Sequence, residues 1–154
     1  MLIVQPKDFI MNIAAASLIS PEHYREFVLP FEQKLFKAIH DAGAKVKLHI
    51  CGNISHLLDD IWKSGADIID IDWMVDFKTS VEKFKGHCSA NGNFDPVRVL
   101  YLGTPESIRQ AVKACLDVSD ERTFISAGCE VPKDTPYENL KAVDEALWEY
   151  ANQA

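Results

Sequence analysis

The chain has 154 residues, 47% of them hydrophobic, which is the length and composition of a single globular domain, residues 1–154, that buries a core. Its formal net charge of −7 argues against a basic, phosphate-tracking surface and excludes nucleic acid as an expected partner. The apolar run 10–20 is interrupted by Asn12 and Ser17, is shorter than the roughly 20 residues that span a bilayer, and lacks a basic flank of signal type. We therefore expect a cytoplasmic protein with no membrane contact.

The first predicted helix begins after Ser20, whose side chain can cap it, with Pro21 in the first helical position. It runs to Gly43, and Pro30 is expected to kink it or split it in two. A short leading strand at residues 2–4 is an optional addition before this helix.

Strands and helices then alternate along the chain. The predicted strands are 45–51, 66–72, 87–91 and 123–128. The predicted helices are 55–64, 96–102, 105–116 and a last one from Pro136 onward. Right-handed connections between such units make the sheet parallel, so the fold class is α/β.

Four βα units amount to half of an eight-stranded barrel, and we call this arrangement a half-barrel. An isolated half-barrel leaves two edge strands and an uncovered inner face. We therefore expect a second copy, a companion chain or residues outside this sequence to complete it. An open sheet of four or five strands covered by helices is an equally good interpretation of the topology.

The four cysteines are expected to be thiols rather than disulfides, because cytosolic cysteines are kept reduced. Cys88 begins a predicted strand, away from the ends where sites form, and Cys115 lies in an amphipathic helix. Both are assigned to packing. Cys51 ends one predicted strand and Cys129 follows another, so both are available to bind a metal.

His49 and Cys51 are two residues apart at the end of a strand, so their side chains point to the same face. Such a pair alone is more often a packing pair than a metal site. Cys129 strengthens the case, because the carboxyl ends of parallel strands share one edge of the sheet. One imidazole and two thiols with an open fourth position are typical of a catalytic zinc.

Asp70 and Asp72 end the next strand, and either carboxylate could fill the fourth zinc position or bind a substrate cation. Helix capping or solvent exposure is the alternative for both, and we favour Asp72 because it comes later in the strand. Asn93 in the run NGNFDP can reach the same pocket. Asp95 precedes a proline and is better explained as a helix cap.

The runs LHICGN, DIIDID, NGNFDP and SAGCEVPKDTPYENLKA, in this order and spacing, resemble the C-terminal half of the uroporphyrinogen decarboxylase superfamily. The resemblance covers residues 17–150 and is strongest to the zinc-dependent methylcobamide:coenzyme M-type methyltransferases. Decarboxylases of the superfamily carry a histidine between glycines where this chain has Cys129 between Gly128 and Glu130. They also lack the His-x-Cys motif.

This resemblance implies a portion of a TIM (β/α)8-type barrel, with zinc bound by His49, Cys51 and Cys129. It implies that Asp72 corresponds to an acidic residue of some members, which we expect to be catalytic together with Asn93. The implied reaction moves a methyl group from a methylated corrinoid, expected on a partner protein, to a thiol such as coenzyme M. A tetrapyrrole decarboxylase and a non-catalytic, partner-dependent scaffold are the alternatives, and a homo-oligomer or companion half-barrel chain is expected.

Overall fold

The computed structural model describes residues 9–13 and 18–152, and within them one sheet contains five parallel strands. The strands are β1 (Phe9–Ile13), β2 (Val46–Ile50), β3 (Ile68–Ile71), β4 (Ser89–Phe94) and β5 (Phe124–Ala127). Their order across the sheet is the order in the chain, so each connection moves one strand further in the same direction. A barrel is wound in this way, whereas a doubly wound sheet reverses its strand order at a switch point.

Strand β1 was not predicted from the sequence, which indicated four strands where the structure has five. Its main chain pairs with β2, from Phe9 opposite Val46 to Ile13 opposite Ile50. This pairing is between residues far apart in the chain, so no local pattern reveals it. The optional strand predicted at residues 2–4 lies outside the described residues.

The first predicted helix is divided into three segments. They are α1 (Pro21–His23), a π-helical segment (Tyr24–Val28) and α2 (Leu29–Asp41). Ser20 caps the first segment as expected, and Pro30 lies in the first turn of α2. Proline has no N–H to donate and its ring crowds the preceding turn, so the split beside Pro30 agrees with the prediction.

The remaining helical segments alternate with the strands. They are α3 (Leu58–Ile61) between two 3₁₀ turns (Ser55–Leu57 and Trp62–Ser64), α4 (Phe77–Phe84), a π-helical segment (Pro96–Tyr101), α5 (Pro105–Leu116) and α6 (Tyr137–Ala151). Helix α4 was not predicted, although Phe77, Val81 and Phe84 recur at helical spacing and are all buried. Within the described part of the chain, no helix is both long enough and apolar enough to cross a membrane.

The two faces of the sheet differ in character because side chains alternate along each strand. One face is apolar and packs against the helices. Its core includes Leu48, Ile50, Ile69 and Ile71 of the strands with Phe36, Leu57, Ile61 and Phe84 of the helices. The opposite face is polar, and its side chains form the site described next.

Candidate metal centre

Two thiols and one imidazole converge at the carboxyl ends of β2 and β5. His49 lies in β2, Cys51 directly follows that strand, and Cys129 lies two residues beyond β5. His49 Nε2 is 3.2 Å from Cys51 Sγ and 3.6 Å from Cys129 Sγ, and the two sulfurs are 3.8 Å apart. Among the described residues, these three form the group of histidine, cysteine and acidic side chains close enough to share an ion.

The donor spacing fits a tetrahedral zinc ion. Bonds of about 2.3 Å to sulfur and about 2.05 Å to nitrogen give tetrahedral edges of about 3.8 Å between sulfurs and about 3.6 Å between sulfur and nitrogen. The distances from Cys129 to Cys51 and to His49 equal these edges. The shorter distance from His49 to Cys51 corresponds to an S–Zn–N angle of about 95°. The three side chains therefore match the ion with only a small adjustment between His49 and Cys51.

The surroundings of Cys51 disfavour a thiolate in the absence of a cation. Burial, the hydrogen bond with Cys129 and the negative charges of Cys129, Asp72 and Asp70 together raise the pKa of the Cys51 thiol to about 11. A thiol must lose its proton to bind a metal, so metal binding at this site releases protons. A cation also supplies the positive charge that this acidic surrounding favours.

Asp72 directly follows β3, lies near Cys51, and has 3% of its surface exposed. Its Oδ2 accepts a hydrogen bond of 2.7 Å from the main-chain N–H of Gly52, the residue after Cys51. Its Oδ1 is buried and has no hydrogen-bond partner among the described residues. A buried carboxylate oxygen without a donor is rare and suits a cation or a substrate donor.

Asn93 lies in β4 and its side-chain amide is directed to the loop after β3. It donates to the main-chain oxygens of Asp72, at 3.3 Å, and Val75, at 2.7 Å. These contacts hold the loop that carries Asp72, and a catalytic role for Asn93 stays a prediction. Asp95 caps the following π-helical segment by accepting from Val97 and Arg98, as the sequence indicated.

A row of polar side chains crosses four strands beneath the donors. His49 Nδ1 is 3.2 Å from the main-chain oxygen of Asp70 and 3.6 Å from its carboxylate. That carboxylate also forms an ion pair with Lys47 at 2.8 Å and accepts a hydrogen bond from the Asn91 amide at 2.6 Å. The same amide donates to the Ser126 hydroxyl at 2.8 Å. The sequence favoured Asp72 over Asp70. The only sign of this row in the sequence is that polar residues alternate in adjacent strands. The register of the strands, which the sequence does not give, brings these residues together.

Gly128 allows the chain after β5 to pass very close to the loop after β3. A Cβ atom on Gly128 would lie 3.0 Å from the carbonyl carbon of Asp72, 3.1 Å from the oxygen of Ile71 and closer still to the nitrogen of Trp73. Its N–H donates to the oxygen of Phe94 at 2.8 Å. Glycine at this position therefore sets how near the following Cys129 comes to Cys51 and His49.

The other cysteines and histidines that are described lie away from this cluster. Cys88 and Cys115 are buried, as expected for packing residues. His56 contacts the main-chain oxygen of Ile19, and His87 stacks on Trp62 with ring centroids 3.8 Å apart.

Comparison with known proteins gives consistent matches. Residues 3–150 match the family described as Uroporphyrinogen decarboxylase (URO-D). The Methylcobamide:CoM methyltransferase MtbA of Methanosarcina acetivorans is 35% identical over 137 residues, which are 89% of this chain and 40% of that protein. The uroporphyrinogen decarboxylase of Carboxydothermus hydrogenoformans is 29% identical over 136 residues, covering 87% of this chain and 38% of that protein.

A solved structure of a methyltransferase from Methanosarcina mazei superposes with a TM-score of 0.82 at 25% identity, covering 92% of this chain and 42% of that one. The chain thus spans about two fifths of the length of the relatives it matches. The predicted fold class, parallel βα units forming part of a (βα)8-type barrel, is confirmed.

Proposed function

The chain belongs to the uroporphyrinogen decarboxylase family, and from that membership we propose that it forms the zinc-binding part of a corrinoid-dependent methyltransferase. The methyl donor is a methylated corrinoid on a partner protein, and the acceptor is a small thiol such as coenzyme M. Relatives named methylcobamide:CoM methyltransferase and methylated-thiol–coenzyme M methyltransferase support this proposal. Three expectations stay predictions: that a corrinoid protein is the partner, that a second copy or companion chain completes the barrel, and that the location is cytoplasmic.

The observation that carries the proposal is the convergence of His49, Cys51 and Cys129. Three protein ligands with tetrahedral spacing leave a fourth position for a substrate, as in catalytic zinc sites. A histidine in place of Cys129, as in the decarboxylases described above, would remove one of the two sulfur donors. The sulfur pair therefore favours thiol chemistry at this site over decarboxylation.

The residues of the site have distinct parts in the proposed reaction. Cys51 and Cys129 each give up a proton and contribute a negative charge, while His49 contributes a neutral nitrogen. When bound, zinc is a Lewis acid that keeps a substrate thiol deprotonated at neutral pH. Asp72 has an unpaired buried oxygen that would be available to a substrate near the site. Its carboxylate is outside the group of donors close enough to share an ion, so a role as fourth ligand stays a prediction.

The methyl transfer needs no reactant besides the methylated corrinoid and the thiol. The thiol proton leaves to solvent, and the sulfur donates an electron pair to the methyl carbon, forming the C–S bond. The Co–C bond breaks and cobalt keeps its electron pair, so cobalt(III) becomes cobalt(I). The side chains of this protein would hold the zinc that binds the acceptor sulfur, and they exchange no electrons.

Zinc content tests the proposal directly. Elemental analysis of the purified chain should give about one zinc per chain, and Cys51→Ser and Cys129→Ser should each lose most of it, because serine is a poor zinc ligand. Cys88→Ser is the matched control, because Cys88 is buried away from the site. The Cys88→Ser protein should contain as much zinc as the wild type. Full zinc content in both ligand variants would refute the metal site.

Sequence identity to uroporphyrinogen decarboxylases keeps tetrapyrrole decarboxylation as a second candidate. The two functions are separated by assaying zinc-loaded protein for demethylation of methylcobalamin with coenzyme M, and for release of carbon dioxide from uroporphyrinogen. Methyl transfer to the thiol supports the proposal, and decarboxylation refutes it. A folded, zinc-loaded protein of defined solution mass that does neither would instead be a partner-dependent scaffold.

A further inference from the structure

The structure assigns to Asp70 the role of a positioning residue that orients His49, so that Nε2 and not Nδ1 faces the two sulfurs. This inference rests on the proposed function in one respect, since His49 acts there as a metal ligand. Asp70 is outside the group of donors. Besides the effect of its charge on the Cys51 thiol, it acts on the site through the imidazole ring.

The two ring nitrogens of His49 have different surroundings. Nε2 lies 3.2 Å and 3.6 Å from the sulfurs of Cys51 and Cys129. Nδ1 instead lies 3.2 Å from the main-chain oxygen of Asp70, within hydrogen-bond distance, and 3.6 Å from the Asp70 carboxylate, which is close enough to attract the N–H by its charge but too far to accept a hydrogen bond. An acceptor is satisfied only by an N–H, so the proton of the neutral ring is on Nδ1. The lone pair needed for a metal is then on Nε2.

The carboxylate of Asp70 is fixed in this place from both sides. Lys47 on β2 lies 2.8 Å from Oδ2, and the amide of Asn91 on β4 donates to Oδ1 at 2.6 Å. The second proton of that amide goes to Ser126 on β5, at 2.8 Å. Since Asp70 is also directly opposite His49 in the register of β2 and β3, its side chain cannot turn to another partner without breaking these contacts.

A fixed carboxylate behind a histidine is a recognised way of tuning a metal site. It holds the tautomer and the ring plane, and it makes the other nitrogen a better donor. Loss of such a partner typically weakens metal binding by about 10-fold to 100-fold. Lys47 offsets the charge of Asp70, which otherwise adds to the negative charge around the Cys51 thiol.

The test compares Asp70→Asn and Asp70→Ala with the control Asp67→Asn. Asp67 precedes the same strand at its opposite end, where it pairs with Lys45 and His40. Zinc affinity, measured by competition with a chromophoric chelator, should fall about 10-fold in Asp70→Asn and up to about 100-fold in Asp70→Ala. Asp67→Asn should stay within twofold of the wild type. The nearly isosteric asparagine keeps the test valid where the alanine variant fails to fold.

A second readout is independent of zinc. Nitrogen NMR of metal-free, histidine-labelled protein should show His49 protonated on Nδ1 in the wild type. The Asp70 variants keep the main-chain oxygen but lose the carboxylate charge, so they should show a smaller fraction of that tautomer. Unchanged affinity and tautomer in folded Asp70 variants would overturn the inference and leave the proposed function intact. A tautomer that depends on Asp70 in a protein that binds no zinc would support the positioning role and refute the proposed function.

Discussion

Substitution of Gly128 by alanine should abolish tight zinc binding although Gly128 contributes no ligand. The new methyl group would lie 3.0 Å from the carbonyl carbon of Asp72 and closer still to the nitrogen of Trp73. Both atoms are main chain and cannot rotate away. Because non-bonded carbon contacts are favourable only beyond about 3.5 Å, the segment after β5 must retreat by about 1 Å.

That retreat moves the segment of Cys129 away from the loop after β3, and Asp72 in that loop is hydrogen-bonded to Gly52, the residue next to Cys51. The Cys51 and Cys129 sulfurs are 3.8 Å apart in the structure. A retreat along the line between them lengthens this distance to about 4.8 Å, whereas two Zn–S bonds of about 2.3 Å span at most about 4.6 Å when collinear. One sulfur is therefore lost from the site.

The assay is zinc affinity by chelator competition, together with the free energy of unfolding in urea. Gly43→Ala is the matched control, because Gly43 has a φ of +79° and open space around its Cβ position. It should cost about 1 kcal/mol of stability through backbone strain and leave zinc affinity unchanged. Wild-type affinity in Gly128→Ala would refute the idea that this close approach places Cys129.

Three further predictions concern stability, each measured by urea unfolding. Although burial opposes it, hydrogen bonds from Lys45, the main chain of Val46 and His40 hold the pKa of Asp67 below its usual 3.8. This stabilisation is therefore present above pH 3.8 and lost as the pH falls through the lowered value, so Asp67→Asn should cost about 1 kcal/mol at pH 6 and progressively less below pH 3.8. Burial raises the pKa of Glu32 above its usual 4.5, against the opposing effect of a hydrogen bond from Tyr24. A carboxylic acid whose pKa is raised on folding lowers the stability of the protein as the pH rises above the pKa of the unfolded state. The free energy of unfolding of Glu32→Gln, relative to that of the wild type, should therefore be higher at pH 7 than at pH 4. The opposite trend would contradict this. Phe36 is fully buried, and Phe36→Ala should cost about 3 to 5 kcal/mol, with a much smaller loss indicating that the core has repacked.

The sequence was sufficient for the strand ends that carry the candidate site. Because side chains alternate along a strand, His49 and Cys51 were predicted to lie on one face. Because the carboxyl ends of parallel strands share one edge of the sheet, Cys129 was predicted to lie near them. These rules are local or depend only on topology. Strand boundaries at β2, β3 and β5 were likewise predicted to within about two residues, because short apolar runs flanked by polar residues define them.

Features that depend on pairing between distant segments were beyond the sequence. Strand β1 forms because its main chain pairs with that of β2. The role of Asp70 depends on its position opposite His49 in the neighbouring strand. Nothing in the residues near Asp70 distinguishes it from Asp72. The unpaired oxygen of Asp72 and the close passage at Gly128 are also properties of the folded chain alone.

Cys51 and Cys129 are 78 positions apart in the chain, and this separation gives a bound ion a second effect. A covalent cross-link closing a loop of that length would reduce the entropy of the unfolded chain by the equivalent of about 4.5 kcal/mol at 25 °C. A zinc ion joining the second strand to the last would act as a reversible cross-link of this kind. Removing it with a chelator should then lower the unfolding temperature even when no thiol or corrinoid is present.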